Sequence, residues 1–304
     1  MTLTLNRQLM IYYAKTNKLT IAFLEKGAMA KPVVLLLHGW PDDATTWEGV
    51  MPEIVAAGFR AIAPWLRGFG NTSFNEDDTL RTGNSGILAM DMIEFMDRLG
   101  IKKFNVIGHD WGSNIAEALA VGWPERISRM ALLSSAPRLG GMLTPSFKQA
   151  QLDWYHWFMA TKRGQEAVRE DPIGFAHLMW VNWAPPGWFE EKTFQAVAAS
   201  WNNPDFVNVT LHSYQARWQE AEPDPESAEL EEQVKTTQTL SLPTLYIQGE
   251  ADGVNPPYVS ENVQQKFTGW FHRVVMPGVG HFPSREAAES LSSYLTEFLR
   301  GTNI

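Results

Sequence analysis

The sequence predicts an α/β fold: a mostly parallel sheet flanked by helices, with a helical unit inserted before the last strands. Three observations carry this. Strand-length apolar runs alternate with amphipathic helical stretches over residues 1–139 and again over 239–304. Several of those runs are apolar at every position, as strands buried on both faces require. Between them, residues 140–238 carry no strand signal.

Taken in order, residues 10–13 and 19–24 read as two short strands with a turn at Thr16-Asn17. The run 32–37 is a buried strand that ends at His38-Gly39-Trp40-Pro41. A helix is predicted over 46–57, closed by Gly58. The strand 59–64 leads into Arg67-Gly68-Phe69-Gly70, and a polar loop follows over 71–84. An amphipathic helix over 87–99 stops at Gly100. The strand 104–107 turns into a helix that Trp123-Pro124 ends, and 127–133 is the next strand. The insert is broken at Pro172, Pro185-Pro186-Gly187, Asn202-Asn203-Pro204 and Pro223, and holds more than half of the 13 tryptophans. Strands resume at 242–248 and 271–276, and a last helix covers 285–299.

A chain of 304 residues with 44% hydrophobic and 19% charged residues can bury one large core and is not a disordered one. A net charge of −9 disfavours nucleic acid or an anionic membrane as partner. With no cysteine, disulfides and thiolate metal sites are out. Arg7 is followed only by a short apolar patch to Tyr13 and then Lys15 and Lys18, which is not a leader pattern. No segment has the ~20 apolar residues of a membrane span. The expectation is a cytoplasmic monomer or homodimer.

The chain is organised around Val106-Ile107-Gly108-His109-Asp110-Trp111-Gly112-Ser113-Asn114. Small residues two before and two after Asp110 suit a strand that turns sharply into a helix and lifts one side chain out of the turn. The lifted residue is an acid at a helix N-terminus, where negative charge is favoured. Such an Asp stays ionised and is suited to attack carbon. Asp252 and His281 likewise follow predicted parallel strands, whose carboxyl ends are where open α/β sheets form ligand sites. Glu250 competes with Asp252 as the acid. His109 is read as structural or supporting, and His38 as a brace for its loop through backbone hydrogen bonds. His156, His177, His212 and His272 show no ligand spacing and are read as packing or surface residues.

The order nucleophile, acid, histidine, with His38-Gly39-Trp40-Pro41, Arg67-Gly68-Phe69-Gly70, Gly108-His109-Asp110-Trp111-Gly112 and Gly280-His281, resembles the α/β-hydrolase fold. The resemblance is to the branch of epoxide hydrolases and haloalkane dehalogenases, soluble epoxide hydrolases above all, and covers essentially the whole chain. It implies that Asp110 forms an alkyl ester with substrate, that His281 activates the water that hydrolyses it, and that Asp252 orients His281. The backbone N–H groups of Trp111 and of the Trp40 loop are the implied oxyanion donors.

The leaving group separates the two branches. An epoxide leaves as a basic alkoxide and needs an O–H donor; a halide needs only weak donors such as indole N–H. Ser213-Tyr214-Gln215-Ala216-Arg217-Trp218 and Asp153-Trp154-Tyr155-His156-Trp157-Phe158 resemble the cap segments that carry the two epoxide-hydrolase tyrosines. Tyr155 and Tyr214 are therefore the expected donors. The alternative is a dehalogenase in which Trp111 and a cap tryptophan, Trp154 or Trp157, bind halide. The arginines that fluoroacetate dehalogenases place after the nucleophile are here Trp111 and Asn114, and Ser134-Ser135 stand where their acid would be. A third reading is a hydrolase-like receptor without turnover, for which an intact Asp, His and Asp set has no use.

The aromatic insert suggests a small apolar, bulky substrate, with Trp65, Phe69, Trp111, Phe158, Trp180, Trp183 and Phe282 as lining. No cofactor and no metal is implied; water is the only co-substrate.

Overall fold

The computed structural model describes residues 10–141 and 144–301. Arg7 and Leu9 of the leader reading lie outside them. Among the described residues nine strands form one sheet: β1 (Ile11–Lys15), β2 (Leu19–Lys26), β3 (Val33–Leu37), β4 (Arg60–Pro64), β5 (Ser73–Phe74), β6 (Phe104–His109), β7 (Ile127–Leu133), β8 (Thr244–Gly249) and β9 (Phe271–Met276). Their order is β1-β2-β4-β3-β6-β7-β8-β9, with β5 on β2. Pairings from β4 through β9 are parallel; those of β2 with β1, β4 and β5 are antiparallel. β3, β4, β6 and β8 are buried along their whole length, which is why their sequences lack polar alternation.

The helices are α1 (Met51–Ala56), α2 (Ser85–Arg98), α3 (Trp111–Gly122), α4 (Phe147–Leu152), α5 (Trp154–Ala160), α6 (Lys162–Glu170), α7 (Pro172–Trp183), α8 (Glu191–Ala198), α9 (Phe206–Arg217), α10 (Ala228–Thr236), α11 (Pro283–Glu286) and α12 (Ala288–Arg300). α1 packs on α12, and α3 packs on α2 and α10. α5 packs on α6 and α9, within the helical stretch that follows β7.

Two expected helices differ. In place of one helix over 46–57, a tight turn at Ala44–Trp47, capped by Asp43, precedes α1. Pro52 has no N–H to give an earlier turn, so the helix starts beside it. The last helix is split at Ala287. Glu286 turns its carboxylate back to the N–H groups of Gly280 and Phe282, which ties α11 to the loop after β9. Pro172, read as a break, opens α7, with Asp171 capping the N–H of Gly174 at 2.8 Å.

The strand order reverses at β3: the chain runs from β3 to β4 on one side, then to β6 on the other. The crevice between the carboxyl ends of β3 and β6 is thus the switch point where such sheets bind ligands. Gly39-Trp40 leaves β3 there and Asp110 leaves β6. The inserted helices reach the same end of the sheet. Trp180 Nε1 donates to the Pro41 carbonyl at 2.6 Å, and the Trp183 carbonyl accepts the N–H groups of Gly253 and His281 at 3.0 Å each. Arg67 anchors the β4 loop by a bidentate pair with Asp91 of α2, both contacts 2.6 Å.

Candidate active site

Asp110 sits between β6 and α3 with φ 52° and ψ −110°, a conformation costly for a non-glycine residue and one that lifts its carboxylate out of the turn. The turn closes only because Gly108 has no side chain: a Cβ there would collide with the carbonyl of Gly112. A Cβ on Gly39 would strike the Asp110 side chain, so the β3 loop can approach the acid only with glycine at that position.

Around that carboxylate the chain closes a triad. The Trp40 N–H donates to Asp110 Oδ1 at 2.9 Å, and His281 Nε2 lies 3.7 Å from Oδ2. His281 Nδ1 is 2.9 Å from Asp252 Oδ2, while Asp252 Oδ1 accepts the N–H groups of Val254 and Asn255 at 2.9 and 2.8 Å. Asp252 is therefore fixed on both oxygens. Glu250 is exposed and accepts from the Gly278 N–H, away from the histidine. His281 is fully buried, and Asp110 and Asp252 are 7% and 3% exposed.

The electrostatics follow from that burial. Burial opposes charge on His281, but the Asp252 and Asp110 carboxylates outweigh it and lift its pKa to about 10. Burial opposes charge on Asp110 too; His281 and the Trp40 N–H outweigh it, and its pKa falls below the usual carboxylate value. His109, buried beside them, drops to about 4, first through burial and then through His281. Its Nε2 donates to the His281 carbonyl at 2.6 Å, a bracing contact. His38 holds its own loop: Nδ1 lies 2.9 Å from the Gly39 carbonyl, and Nε2 accepts the Leu66 N–H at 3.1 Å.

Against Trp40, whose N–H meets the acid, pack Tyr155 of α5 and Tyr214 of α9, buried with ring centres 5.4 Å apart. Burial first, then Tyr214 and the Asp110 charge for Tyr155 and the Asp110 charge for Tyr214, raises both phenols well above their usual pKa, so each keeps its proton. Trp111 Nε1 donates to the Tyr214 oxygen at 3.2 Å. Trp40 stacks on Tyr155, 5.9 Å between ring centres.

The expected lining residues divide. Trp183 packs on His281 and Tyr155, both at 5.0 Å, Phe282 on His281 at 5.2 Å, and Phe69 on Trp111 at 5.9 Å. Trp180 is tied to Pro41 and lies behind Phe282. Phe158 stacks on Phe175, which in turn packs on Trp40. Trp65 points its indole at Asp43 and Ser200, where it joins the β4 loop to the helical stretch. Trp157 Nε1 donates to the Ala150 carbonyl at 3.2 Å.

One participant escapes the sequence, and one histidine read as a packing or surface residue packs at the site. Glu286 holds the N–H groups on either side of His281 at 2.7 and 2.8 Å; its only sequence signal is an acid in the first turn after Pro283. His156 packs on both tyrosines, at 4.2 and 4.8 Å, and burial drives its pKa well below the usual histidine value. His177 pairs with Glu191 at 3.3 Å, and His212 bridges Gly83 and Glu222. Among the described residues no group of acids and histidines could hold a metal ion, and no helix is long and apolar enough to cross a membrane.

Known proteins place this architecture. A family model for the alpha/beta hydrolase fold matches residues 32–288. An epoxide hydrolase of Caballeronia sordidicola is 27% identical, covering 95% of this chain and 93% of its own. Epoxide hydrolase A of Mycobacterium tuberculosis is 22% identical, covering 95% and 97%. Among solved structures, a candidate epoxide hydrolase of Klebsiella pneumoniae superposes with a TM-score of 0.89 at 29% identity, covering 95% of this chain and 97% of the other.

Proposed function

The chain belongs to the alpha/beta hydrolase fold family, and from that premise we propose that it is an epoxide hydrolase that opens an apolar epoxide to a vicinal diol through an ester on Asp110. The Asp110 oxygen near His281 attacks an epoxide carbon as the ring C–O bond breaks. Tyr155 or Tyr214 gives its proton to the departing oxygen. Esterification removes the Asp110 charge that sustains the His281 imidazolium. The imidazolium proton then restores the phenol, leaving a neutral base.

Neutral His281 takes a proton from water as it attacks the Asp110 carboxyl carbon. The negative charge that develops on Oδ1 is met by the Trp40 N–H, already 2.9 Å away, and by the first N–H of α3 at Trp111. Collapse breaks the ester bond, His281 protonates the leaving diol oxygen, and the regenerated Asp110 acid returns a proton to His281. One water is consumed and one oxygen of Asp110 is exchanged.

The observation that carries the reading is the disposition of donors. Two protonated phenols lie within the field of the acid, whereas two of the indoles named for a halide spend their N–H groups elsewhere: Trp111 on Tyr214 and Trp157 on the Ala150 carbonyl. The test is a side-by-side assay of an aryl epoxide, an alkyl epoxide and a bromoalkane. Diol from an epoxide supports the proposal; bromide release without diol overturns it.

A further inference from the structure

One side chain, Gln149 of α4, joins the loop that carries Asp252 to the helix that carries Tyr155. Its Nε2 donates to the Val254 carbonyl at 2.9 Å and to Asp153 Oδ1 at 3.0 Å, and its Oε1 accepts the Tyr258 hydroxyl at 2.9 Å. A backbone carbonyl and an ionised carboxylate can only accept, so the amide is fixed in one orientation with both N–H groups spent. Lys148, beside it, lies over the Tyr258 ring at 4.6 Å.

The two ends of this link are unequal. Val254 belongs to a loop that the triad and the sheet already hold. Its N–H donates to Asp252 Oδ1, the Asn255 side chain donates to the Ser134 carbonyl at 2.8 Å, and Gln248 of β8 donates to the Asn255 carbonyl. Asp153 is the joint between α4 and α5, and Tyr155 follows it by two residues. An aspartate just before a helix ordinarily accepts an N–H of the first turn. Here, among the described residues, the Asp153 carboxylate caps no N–H of α5 and takes the Gln149 amide instead. Asp153 is buried, and a buried carboxylate is unfavourable without a donor. The start of α5 is thus set by a contact that leads back to the Asp252 loop. Tyr155 in turn packs on Trp40, whose N–H meets Asp110, and on Trp183, which packs on His281.

We propose that Gln149 is a positioning residue for epoxide opening, which seats Tyr155 in the site by fixing the start of α5 to the loop that holds Asp252. This rests on the epoxide-hydrolase reading and adds a residue to it. Gln149 acts through Tyr155, so its effect follows that phenol. It does not follow Tyr214, which stands on α9 and is held by Trp111.

The experiment is a double-variant cycle on the rate of Asp110 ester formation with styrene oxide, followed by rapid quench and intact-protein mass. In the Tyr214→Phe background, where the step leans on Tyr155, Gln149→Leu is expected to slow it about tenfold, the worth of one hydrogen bond to a charged group. In the Tyr155→Phe background the same change should add no further slowing. In the wild type, where Tyr214 can take over, the effect should fall between the two. Tyr258→Phe keeps Gln149 and its bond to Asp153; it should show the same dependence on Tyr155 more weakly, and it carries the test if Gln149→Leu does not fold. Equal slowing in both backgrounds, as a general loss of structure gives, overturns the role of Gln149 alone, and so does an unchanged rate in the Tyr214→Phe background. No Asp110 ester from any epoxide in the wild type overturns the epoxide reading and this role with it.

Discussion

Trp111 Nε1 donates to the phenol oxygen of Tyr214 across 3.2 Å, a single bond that ties the residue after Asp110 to the helices that follow β7. A phenol oxygen that accepts one hydrogen bond still has its own O–H to donate. The indole therefore positions Tyr214 with its proton available to the site. Trp111→Phe keeps an aromatic ring but removes this donor. The expected outcome is a drop in kcat/KM on epoxides of about tenfold, the worth of one such bond, with the thermal midpoint little changed. Unaltered kinetics would mean that the bond does not orient Tyr214.

Both tyrosines are buried and hold their protons, so either can serve the departing oxygen. Single Phe replacements should therefore be weaker than the pair. Tyr155→Phe with Tyr214→Phe together is expected to lower the rate of ester formation by at least 100-fold, the scale of general-acid catalysis. Stopped-flow tryptophan fluorescence or rapid quench reads that step directly. Near-normal ester formation in the double variant would remove the tyrosines from the mechanism.

The legible part of the molecule is the part whose signals are local. β3, β6, β8 and β9 each announce themselves by an apolar run and a glycine-bearing loop, so the order of Asp110, Asp252 and His281 at strand ends can be read directly. Asp252 over Glu250 follows from the resemblance rather than from spacing, since both acids follow the same strand; the fold turns Asp252 toward His281 and leaves Glu250 to the Gly278 N–H. Contacts between distant segments are not written locally. Trp65 reads as pocket wall but meets Ser200, 135 residues away, and the Arg67 motif exists to grip Asp91 and the Thr82 carbonyl. Glu286 is silent for another reason: its partners Gly280 and Phe282 are only six and four residues away, but an acid after Pro283 does not by itself reveal that its carboxylate turns back onto them.

His281 gives a pH prediction with a definite sign. Its resting pKa of about 10 depends partly on the Asp110 charge, and esterification removes that charge. The base should therefore titrate below 10 in the intermediate. The rate of ester hydrolysis is expected to rise with pH and level off below pH 10, followed by quench-flow of the intermediate. In the resting enzyme the raised pKa stabilises the fold fully below the unfolded value of 6.5, and that contribution is lost as pH rises through about 10. A flat pH profile for ester hydrolysis would contradict the assignment of His281 as base.

Glu286 is a positioning residue: it touches no reacting atom but holds Gly280 and Phe282 on either side of His281. Glu286→Ala should slow ester hydrolysis more than ester formation, since only the second step needs a placed base. The signature is accumulation of the Asp110 ester in the variant, seen by intact-protein mass. Glu286→Gln, which keeps one acceptor oxygen, should restore part of the rate. Equal slowing of both steps would point to a general loss of structure instead.

The central claim is that Asp110 itself bonds to the substrate. It is tested most directly by one turnover with enzyme in excess, in water labelled with oxygen-18. The account predicts unlabelled diol, with the label in the peptide that contains Asp110, because the oxygen delivered to the substrate comes from the carboxylate and solvent replaces it. Labelled diol in that first turnover, with Asp110 left unlabelled, would contradict it.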